Sequence, residues 1–416
     1  MMVLVFYVTI FVFSMFFWGR YKSHRDRHDY ASLKTVTFGD ESAIVPDRVA
    51  SIISVFAIFL IWAAFTGSRL VPLHVPGPFV GNTSFTYTVR NAEGAEAEAN
   101  VQVLVYKGTN KPDAPVPDAS SGFAVNDSDV AAAWRSALLK PAENDGPGAV
   151  IVAVEGKPII PDQTVAVPNG KVTMTSKGSL NFEPYSGWQM EPIWLPSPEA
   201  VVARLVEIAT NGYQNTSLLG HLAASLGRVL AGFFLGALVG IPLGYAMGLS
   251  SWFRGWFDPI VEFMRPVPPL ALIPLVIIWF GIWETGKVVL LFLAALWIMV
   301  IGARSGVSGV NLSKIHAAYS LGASKTQIML HVIIPNSLPD IFTGARVAMG
   351  VCWGTVVAAE LVAAQKGAGM MIIAASKFQL TDIVVMGIIL IGVIGYSIDI
   401  VMRIIEKKLV PWKGRS

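Results

Sequence analysis

The chain has 416 residues, of which 53% are hydrophobic and 14% are charged, and its net charge is +3. About a quarter of the residues in a typical soluble domain are charged, so this composition excludes an ordinary soluble protein. The net charge is too small to favour nucleic-acid binding. The single cysteine, Cys352, excludes an internal disulfide bond and a cysteine-based metal site, and we expect it to pack inside an apolar helix.

The first predicted element is an extra membrane helix over residues 1–18, which lacks the flanks of a signal peptide. Residues 19–48 form a loop rich in Arg and Lys, and the positive-inside rule places it in the cytoplasm. His24 and His28 have the spacing of a helical metal pair, but a solvated loop is preferred because no third ligand is evident. Residues 49–66 return through the membrane as the first core helix.

Residues 73–190 are polar and rich in Gly, Pro and Thr, which predicts a β-rich domain on the extracytoplasmic side. We expect a tight turn at Asn169-Gly170 and one helix near Asp129–Leu139. The expected strands contain alternating apolar residues and cover Phe85–Val89, Val101–Val105, Val150–Val154, Val165–Val167, Val172–Thr175 and Leu180–Phe182.

Two motifs of this domain, Ser84–Val89 with Asn91–Gly94 and Gly178–Pro184 with Asn169-Gly170, resemble the cadherin-like or immunoglobulin-like repeats of bacterial surface proteins. Their order is reversed, as in a circular permutation, which would bring residues near 82 and 187 together. Five polar residues could bind calcium, although turn chemistry explains them equally well and is preferred: Asn126, Asp127, Asp129, Asn144 and Asp145.

Residues 194–212 are predicted to form an amphipathic helix at the membrane interface, with Ser197 as its cap and Asn211-Gly212 at its end. A core of five membrane segments follows within residues 213–416. The segments are placed near 218–247, 258–280, 287–303, 341–364 and 381–402. The first segment carries small-xxx-small pairs at Gly232, Gly236 and Gly240, which favour close helix packing.

The loop over residues 305–340 lies on the cytoplasmic side by the charge rule. Ala317, Ala318 and Gly322 are predicted to share neighbouring turns of one helix, where a partner's backbone can come close. Pro335 and Pro339 are predicted to break the chain into a second short helix. The expected result is a helix–turn–helix that suits docking of another protein.

This loop resembles the coupling loop of importer-type ABC transporter permeases, whose pattern begins Glu-Ala-Ala and ends Ile-x-Leu-Pro. Here the matching residues are His316-Ala317-Ala318, Gly322 and Val332–Pro335, and His316 replaces the usual Glu. The core resembles the nitrate, sulfonate, taurine and bicarbonate branch of these permeases. The residues that carry this likeness are Leu195–Pro198, Ser225–Phe233, Arg265–Leu275, Trp279–Gly281 and Val356–Glu360.

The resemblance implies a homodimer that carries two copies of a separate ATPase subunit, which binds ATP and Mg²⁺, and an external solute-binding protein. The chain itself is expected to bind no cofactor or metal and not to be an enzyme. Residues Gly281–Lys287 imitate a phosphate-binding loop, but Val288 stands where a hydroxyl is needed, so we interpret the match as chance. The implied cargo is a small anionic solute.

Two groups of candidate site residues follow. The ATPase-coupling candidates are His316, Ala317, Ala318, Gly322, Ala323 and Pro335. The candidates for the translocation pathway are Arg265, Pro268, Pro269, Trp279, Arg346, Trp353 and Glu360. Arg346 is the preferred transport residue, with a structural pair between Arg346 and Glu360 as the alternative. Structural roles are favoured for the other intramembrane charges, Arg228 and Glu262.

The predicted fold class is an all-α polytopic membrane protein with about seven membrane helices and an inserted β-sandwich-like domain. The predicted function is the permease subunit of an ATP-driven ABC importer in the bacterial inner membrane. The alternative is a membrane-anchored adhesion or sensing protein that acts through its external β-domain, and this alternative needs no ATPase partner.

Overall fold

A computed structural model describes residues 2–25, 47–108, 110–120 and 122–412. These residues form two compact units, which divide at residues 199 and 200 and are described separately. Most of the predicted loop 19–48, with His28, lies outside the described residues. Among the described residues, six helices are long and apolar enough to cross a membrane, and a bent helix pair raises this number to seven.

The first unit begins with two apolar helices, α1 (Met2–Arg25) and α2 (Arg48–Thr66). Helix α1 therefore continues past residue 18, where the predicted loop begins. Asp47 caps α2 by accepting hydrogen bonds from the Val49 and Ala50 amides, and it also accepts one from the Trp18 indole at 2.9 Å. This carboxylate joins the two helices at one end, and α2 ends at Gly67 in the left-handed conformation.

Within the described residues that follow α2, nine strands form two sheets. Their bounds are β1 (Gly81–Arg90), β2 (Glu96–Tyr106), β3 (Asp127–Ala132), β4 (Ala137–Leu139), β5 (Val150–Val154), β6 (Lys157–Pro158), β7 (Thr164–Val167), β8 (Gly170–Met174) and β9 (Leu180–Pro184). The sheet orders are β3-β2-β1-β5-β6 and β4-β9-β8-β7. Alternate residues of both sheets share one apolar core, in which Phe85 stacks on Phe182.

The predicted helix near Asp129–Leu139 is wrong. Residues Asp127–Ala132 pair in parallel with β2, and Ala137–Leu139 pair with β9. Trp134, with φ of 64°, turns the chain between the two strands. The alanines favour a helix locally, but burial of alternate side chains in the shared core overrides that propensity.

The start and end of the β-domain meet beside the end of α2. The Phe79 amide donates to the Tyr185 carbonyl at 2.9 Å, and the Trp188 amide donates to the Pro76 carbonyl at 2.7 Å. The Met190 amide then donates to the Phe65 carbonyl in the last turn of α2. The expected meeting of residues near 82 and 187 is therefore observed within a few residues of those positions, and the two ends form one attachment to the membrane helix.

Asp127 and Asp145 face one buried hydroxyl group inside the β-domain. The Tyr87 hydroxyl lies 3.1 Å from Asp127 Oδ2 and 3.2 Å from Asp145 Oδ2, and the Val125 amide donates to Asp145 at 2.7 Å. Burial raises the pKa of both carboxyl groups above the ordinary value, although these hydrogen bonds oppose the rise. No cluster of three metal-ligating side chains occurs among the described residues.

The second unit is helical. Its helices are α3 (Pro198–Asn211), α4 (Leu218–Leu249), α5 (Ser251–Met264), α6 (Ile273–Phe280), α7 (Glu284–Ser308), α8 (Leu312–Ser320), α9 (Lys325–Ile328), α10 (Ile334–Ala363), α11 (Ala368–Lys377) and α12 (Thr381–Leu409). Helices α4, α7 and α10 form the buried core, and α12 packs against α10. The long helices are apolar around most of their circumference, as expected of membrane spans.

Glycines on α4 let it pack directly against α7. A Cβ atom added at Gly232, Gly236 or Gly240 would lie within 3.0 Å of Leu291, Ala295 or Met299, respectively. Gly244 and Gly248 continue the same four-residue spacing toward the end of α4. The predicted small-xxx-small pairs therefore form the α4–α7 contact, which gains its stability from close van der Waals packing.

The predicted membrane segment 258–280 is broken within its proline-rich stretch 265–275, as several prolines at membrane depth predict. Helices α5 and α6 are bent by 91° about a break that contains Pro266 and Pro268. The missing proline amide groups and the restricted residue before each proline explain the break. A short 3₁₀ helix, Pro269–Leu272, leads from the break into α6.

We expect Gly240→Val to lower the melting temperature of the purified chain in detergent, with a cost of about 1–3 kcal/mol. The added side chain would meet the Leu296 carbonyl and Met299 Cβ, both 2.9 Å from the new Cβ position. Gly227→Val is the matched control, because a Cβ there has no neighbour within 4 Å. Equal melting temperatures for the two variants would contradict the packing account.

We expect the β-domain to become more stable as the pH falls from neutral toward about 4. The raised pKa of Asp145 means that its stabilising contribution is complete below the ordinary pKa and is lost as the pH rises through the folded-state pKa. Asp145→Asn keeps an oxygen that accepts the Val125 amide bond, so it should reduce this pH dependence. Hydrogen exchange in β1 and β2 of the full chain measures the effect.

Asp113→Asn, on the exposed connection between β2 and β3, is the control for this measurement. It should preserve the parental pH dependence. A pH profile that Asp145→Asn leaves unchanged would show that Asp145 is not the titrating group.

Candidate functional site

A cluster of four charged side chains lies at the end of the second unit where α7 begins. We call Arg228, Glu284, Lys287 and Glu360 the charge cluster. The Arg228 guanidinium donates to Glu360 Oε1 at 2.5 Å through Nη1, and to both Glu284 oxygens at 2.5 and 2.9 Å through Nε and Nη2. Lys287 Nζ donates to Glu284 Oε1 at 3.0 Å. Helices α4, α7 and α10 thus each contribute charges to one network.

The Glu360 side chain is fully buried, and several donors hold it. The Ser225 hydroxyl donates to Glu360 at 2.8 Å, and the Gly369 amide donates to it at 3.0 Å. A Cβ atom on Gly367 would lie 2.3 Å from the Glu360 carboxyl carbon, and Gly367 has φ of 143°. Glycine is therefore required at 367 both for the close approach and for the backbone conformation.

A buried histidine supports the glycine segment from α4. The His221 side chain is fully buried, its Nε2 lies 3.1 Å from the Tyr213 carbonyl, and its Nδ1 accepts the Gly367 amide at 3.2 Å. Both contacts are satisfied when the proton is on Nε2, so His221 links α4 to the glycine segment as a structural residue. The Ser225 hydroxyl oxygen similarly accepts the Ala368 amide at 3.0 Å.

A cavity of about 540 Å³ opens beside the charge cluster. Glu284, Lys287 and Glu360 lie in its wall together with Lys377. The remaining wall is mostly apolar and includes Trp283 and Met370. A mostly apolar cavity with a few convergent charges has the general form of a small-solute site.

The opposite end of α10 continues into the predicted coupling loop. Helix α8 ends in a Schellman motif, in which the Ala323 amide donates to the Ala318 carbonyl and the Gly322 amide donates to the Tyr319 carbonyl. Gly322 has φ of 79° and follows the helix, so its predicted position within the helix is wrong. Ser324 and Gln327 then form a capping box that starts α9.

The predicted break at Pro335 and Pro339 is also wrong. A π-helical turn, Met329–Ile333, joins α9 to α10, and residues Lys325–Val362 form one long apolar span. Pro335 lies in the first turn of α10, where its missing amide is tolerated. The turn of the helix–turn–helix instead lies at Leu321–Ser324, where the Schellman motif reverses the chain.

A shallow hollow of about 430 Å³ lies between α8 and the π-helical turn. We call it the loop hollow; its lining residues are Ala318, Leu321, Gly322, Ala323, Gln327, His331 and Val332. Leu321 is 89% exposed, although it is a large apolar side chain. Ile315 and Ala318 pack against Val307 and Ile328, so the hollow stands on an apolar base. His316 and Ala317 are exposed beside it.

The pathway candidates do not form one group. Arg265, Pro268 and Trp279 are exposed on the bent pair α5–α6, and Pro269 starts the 3₁₀ helix. Trp353 is buried and donates to the Ile391 carbonyl of α12 at 3.1 Å. Glu360 belongs to the charge cluster at the end of α10.

The alternative pair between Arg346 and Glu360 is wrong. Arg346 bonds Glu406 on α12, whereas Glu360 bonds Arg228 on α4. Arg346 and Glu360 are separated by 14 positions along the same helix, so their side chains lie several turns apart. Glu262 accepts a hydrogen bond from Arg304 at 3.0 Å, which joins α5 to α7.

Sequence reasoning missed Glu284 and Lys287 as members of a charged site. They stand in the segment that was interpreted only as an imitation of a phosphate-binding loop. The structure places them in the first turn of α7 at i, i+3 spacing. The sequence did contain a signal for this site, namely an acidic and a basic residue at the start of an apolar membrane helix. Charged side chains in such a position need partners of opposite charge.

The apolar spans, the internal charge cluster and the broken helix pair define a polytopic membrane protein. Residues 218–411 match the family described as binding-protein-dependent transport system inner membrane component. The taurine transport system permease protein TauC of Escherichia coli (strain K12) is 46% identical over 226 residues, which are 54% of this chain and 82% of that protein. The nitrate import permease protein NrtB of Synechocystis sp. is 31% identical over 52% of this chain and 81% of that protein.

The chain belongs to this family and is a membrane-spanning permease subunit of an ABC importer. The family match begins at residue 218 and does not include α1, α2 or the β-domain. The charge cluster and the loop hollow both lie within the matched residues.

Proposed function

We propose that this permease imports a small solute of the taurine, sulfonate, nitrate or bicarbonate type across the bacterial inner membrane. It would act as a homodimer with two ATPase subunits, which bind and hydrolyse ATP with Mg²⁺. An external binding protein would deliver the solute. The similarity to the taurine and nitrate permeases supports the solute class.

The loop hollow is the observation that carries this proposal. Contiguous exposed apolar surface marks a protein contact, and this loop also exposes Leu312 and Tyr319. Leu321 is almost fully exposed, while small residues at 318, 322 and 323 leave space for a partner's side chains. The apolar base beneath α8 would let the loop move with the membrane helices as one body. An ATPase that closes on the hollow would therefore move the end of α10.

The distribution of basic residues supports the proposed orientation in the membrane. Arg403, Lys407 and Lys408 lie at the end of α12, at the side predicted for the coupling loop. With this orientation the loop hollow is cytoplasmic, and we propose separately that the β-domain is extracytoplasmic. The orientation also puts the charge cluster near the external face, where a delivered solute would enter.

We expect Gly322→Trp to abolish ATP-driven uptake while the permease still inserts in the membrane. The indole would project from a position that has no neighbour within 4 Å, so it would obstruct the partner rather than this chain. Taurine uptake by cells that express the complete transporter, with surface amount measured in parallel, checks the result.

Gly322→Ala is the matched control, since it carries the same positive-φ strain of about 1 kcal/mol without the bulk. It should retain most of the uptake. Normal uptake by Gly322→Trp would show that the loop hollow is not the coupling surface.

We infer that the inserted β-domain is an immunoglobulin-like or cadherin-like sandwich in permuted order, and that it helps to dock the binding protein. Two sheets over one core and two adjacent chain ends support this interpretation. Adhesion or sensing by the same domain remains the second candidate, supported by its size and by its absence from the family match.

We expect a chain without residues 80–184 to insert and to retain its ATPase partner, but to bind the external binding protein more weakly. Phe79 and Tyr185 can be joined by a short linker, because their backbone atoms already form a hydrogen bond of 2.9 Å. Binding-protein affinity and uptake are the measurements. Parental values for both would exclude the docking role and favour adhesion or sensing.

A further inference from the structure

The side chains of the charge cluster differ strongly in their exposure to solvent. The side chains of Arg228 and Lys287 are each 7% exposed, whereas the Glu284 side chain that both of them bond is 61% exposed. The surrounding protein encloses the two cations, and the Glu284 carboxylate contacts them from the solvent-exposed side of the cluster. Glu284 can therefore move into solvent and regain hydration, whereas the protein encloses both cations.

Glu360, unlike Glu284, cannot move away from Arg228 into solvent. It is fully buried, it bonds Arg228 through Nη1, and the Ser225 hydroxyl and the Gly369 amide also hold it. Glu360 is thus a permanent counterion for half of the guanidinium group. The other half, Nε and Nη2, faces Glu284 alone.

If Glu284 moves away, Arg228 keeps Glu360 as its counterion, and Lys287 loses the carboxylate that it bonds. The free edge of Arg228 and the Lys287 ammonium group would then need an anion with at least two oxygens. The neighbouring cavity of about 540 Å³ is large enough to hold such an anion. Glu284 and Lys287 both lie in the wall of this cavity. Apolar wall residues such as Ile282 and Met370 could cover the carbon atoms of such a ligand.

We propose that Arg228 and Lys287 form a binding site for the oxyanion group of the transported solute, and that Glu284 is its displaceable internal substitute. The site takes small organic sulfonates, and it prefers those with an ammonium group that the displaced Glu284 can bond. This inference rests on the proposed import function. It means that the permease, as well as the binding protein, recognises the oxyanion group of the solute.

The exchange keeps every buried charge paired. A sulfonate oxygen accepts from Arg228 Nε and Nη2, another accepts from Lys287 Nζ, and Glu284 becomes hydrated or bonds the solute's ammonium group. No proton is transferred, and no covalent bond is formed or broken. Because one anion replaces another, the solute can also leave when Glu284 returns, which suits a transient site on a transport path.

The test is direct binding to the full chain in lipid nanodiscs by titration calorimetry, with ethanesulfonate and taurine as the two probes. Glu284→Gln removes the competing charge, so it should tighten ethanesulfonate binding by about tenfold. Taurine should gain less, because the same substitution removes the charge that bonds its ammonium group. Lys287→Gln should weaken the binding of both probes.

Glu207→Gln is the matched control for charge. Glu207 is also an exposed carboxylate in an i, i+3 pair, with Arg204, but it does not line the cavity. Its affinities should equal those of the parent. Lys287→Arg keeps the charge and should restore binding, which separates loss of the site from loss of folding.

Equal ethanesulfonate affinity for the parent and Glu284→Gln would overturn the proposal, and so would the lack of saturable binding by both. Those results would leave the importer function intact if the parent complex still shows ATP-driven taurine uptake. Absence of uptake and of an ATPase partner would instead overturn the proposed function.

Discussion

The ion pair between Arg228 and Glu360 is the interaction on which the second unit depends. It joins α4 to α10 within a mostly apolar helical unit, and the glycines at 367 and 369 fit closely around the carboxylate. Removing one partner of such a buried pair typically costs about 3–5 kcal/mol, because the other charge is left uncompensated. The sequence Lys366–Gly369, the serine at 225 and the start of α7 are all arranged to satisfy this pair.

Helix α10 links the two ends of the permease. Pro335 lies in its first turn beside the loop hollow, and Glu360 lies near its other end. At 1.5 Å per residue, the distance between these two residues is about 38 Å. The helix is continuous between them and packs against α7, which in turn packs against the glycines of α4. A movement at the loop hollow would therefore be carried by a rigid element to the charge cluster.

Much of the architecture could be predicted from sequence because it depends on local pattern. Apolar runs predicted the spans, glycine spacing predicted the α4–α7 contact, and alternation predicted most strands. The wrong predictions concern residues whose structure depends on partners that are distant in the sequence. The segment Asp129–Leu139 became two strands through pairing with β2 and β9, and Arg346 found its partner on α12. The role of Glu284 depends on Arg228, which is distant in sequence and becomes a neighbour only in the fold.

In the proposed function, this chain works as the membrane subunit of an ATP-driven importer. Gentle extraction of a C-terminally tagged chain from native membranes, followed by mass spectrometry of the proteins that accompany it, tests the claim most directly. We expect an ABC ATPase subunit in an amount equal to the tagged chain, and loss of that subunit in the Gly322→Trp variant. Repeated recovery of envelope proteins with no ATPase would contradict the account and favour an adhesion or sensing role for the β-domain.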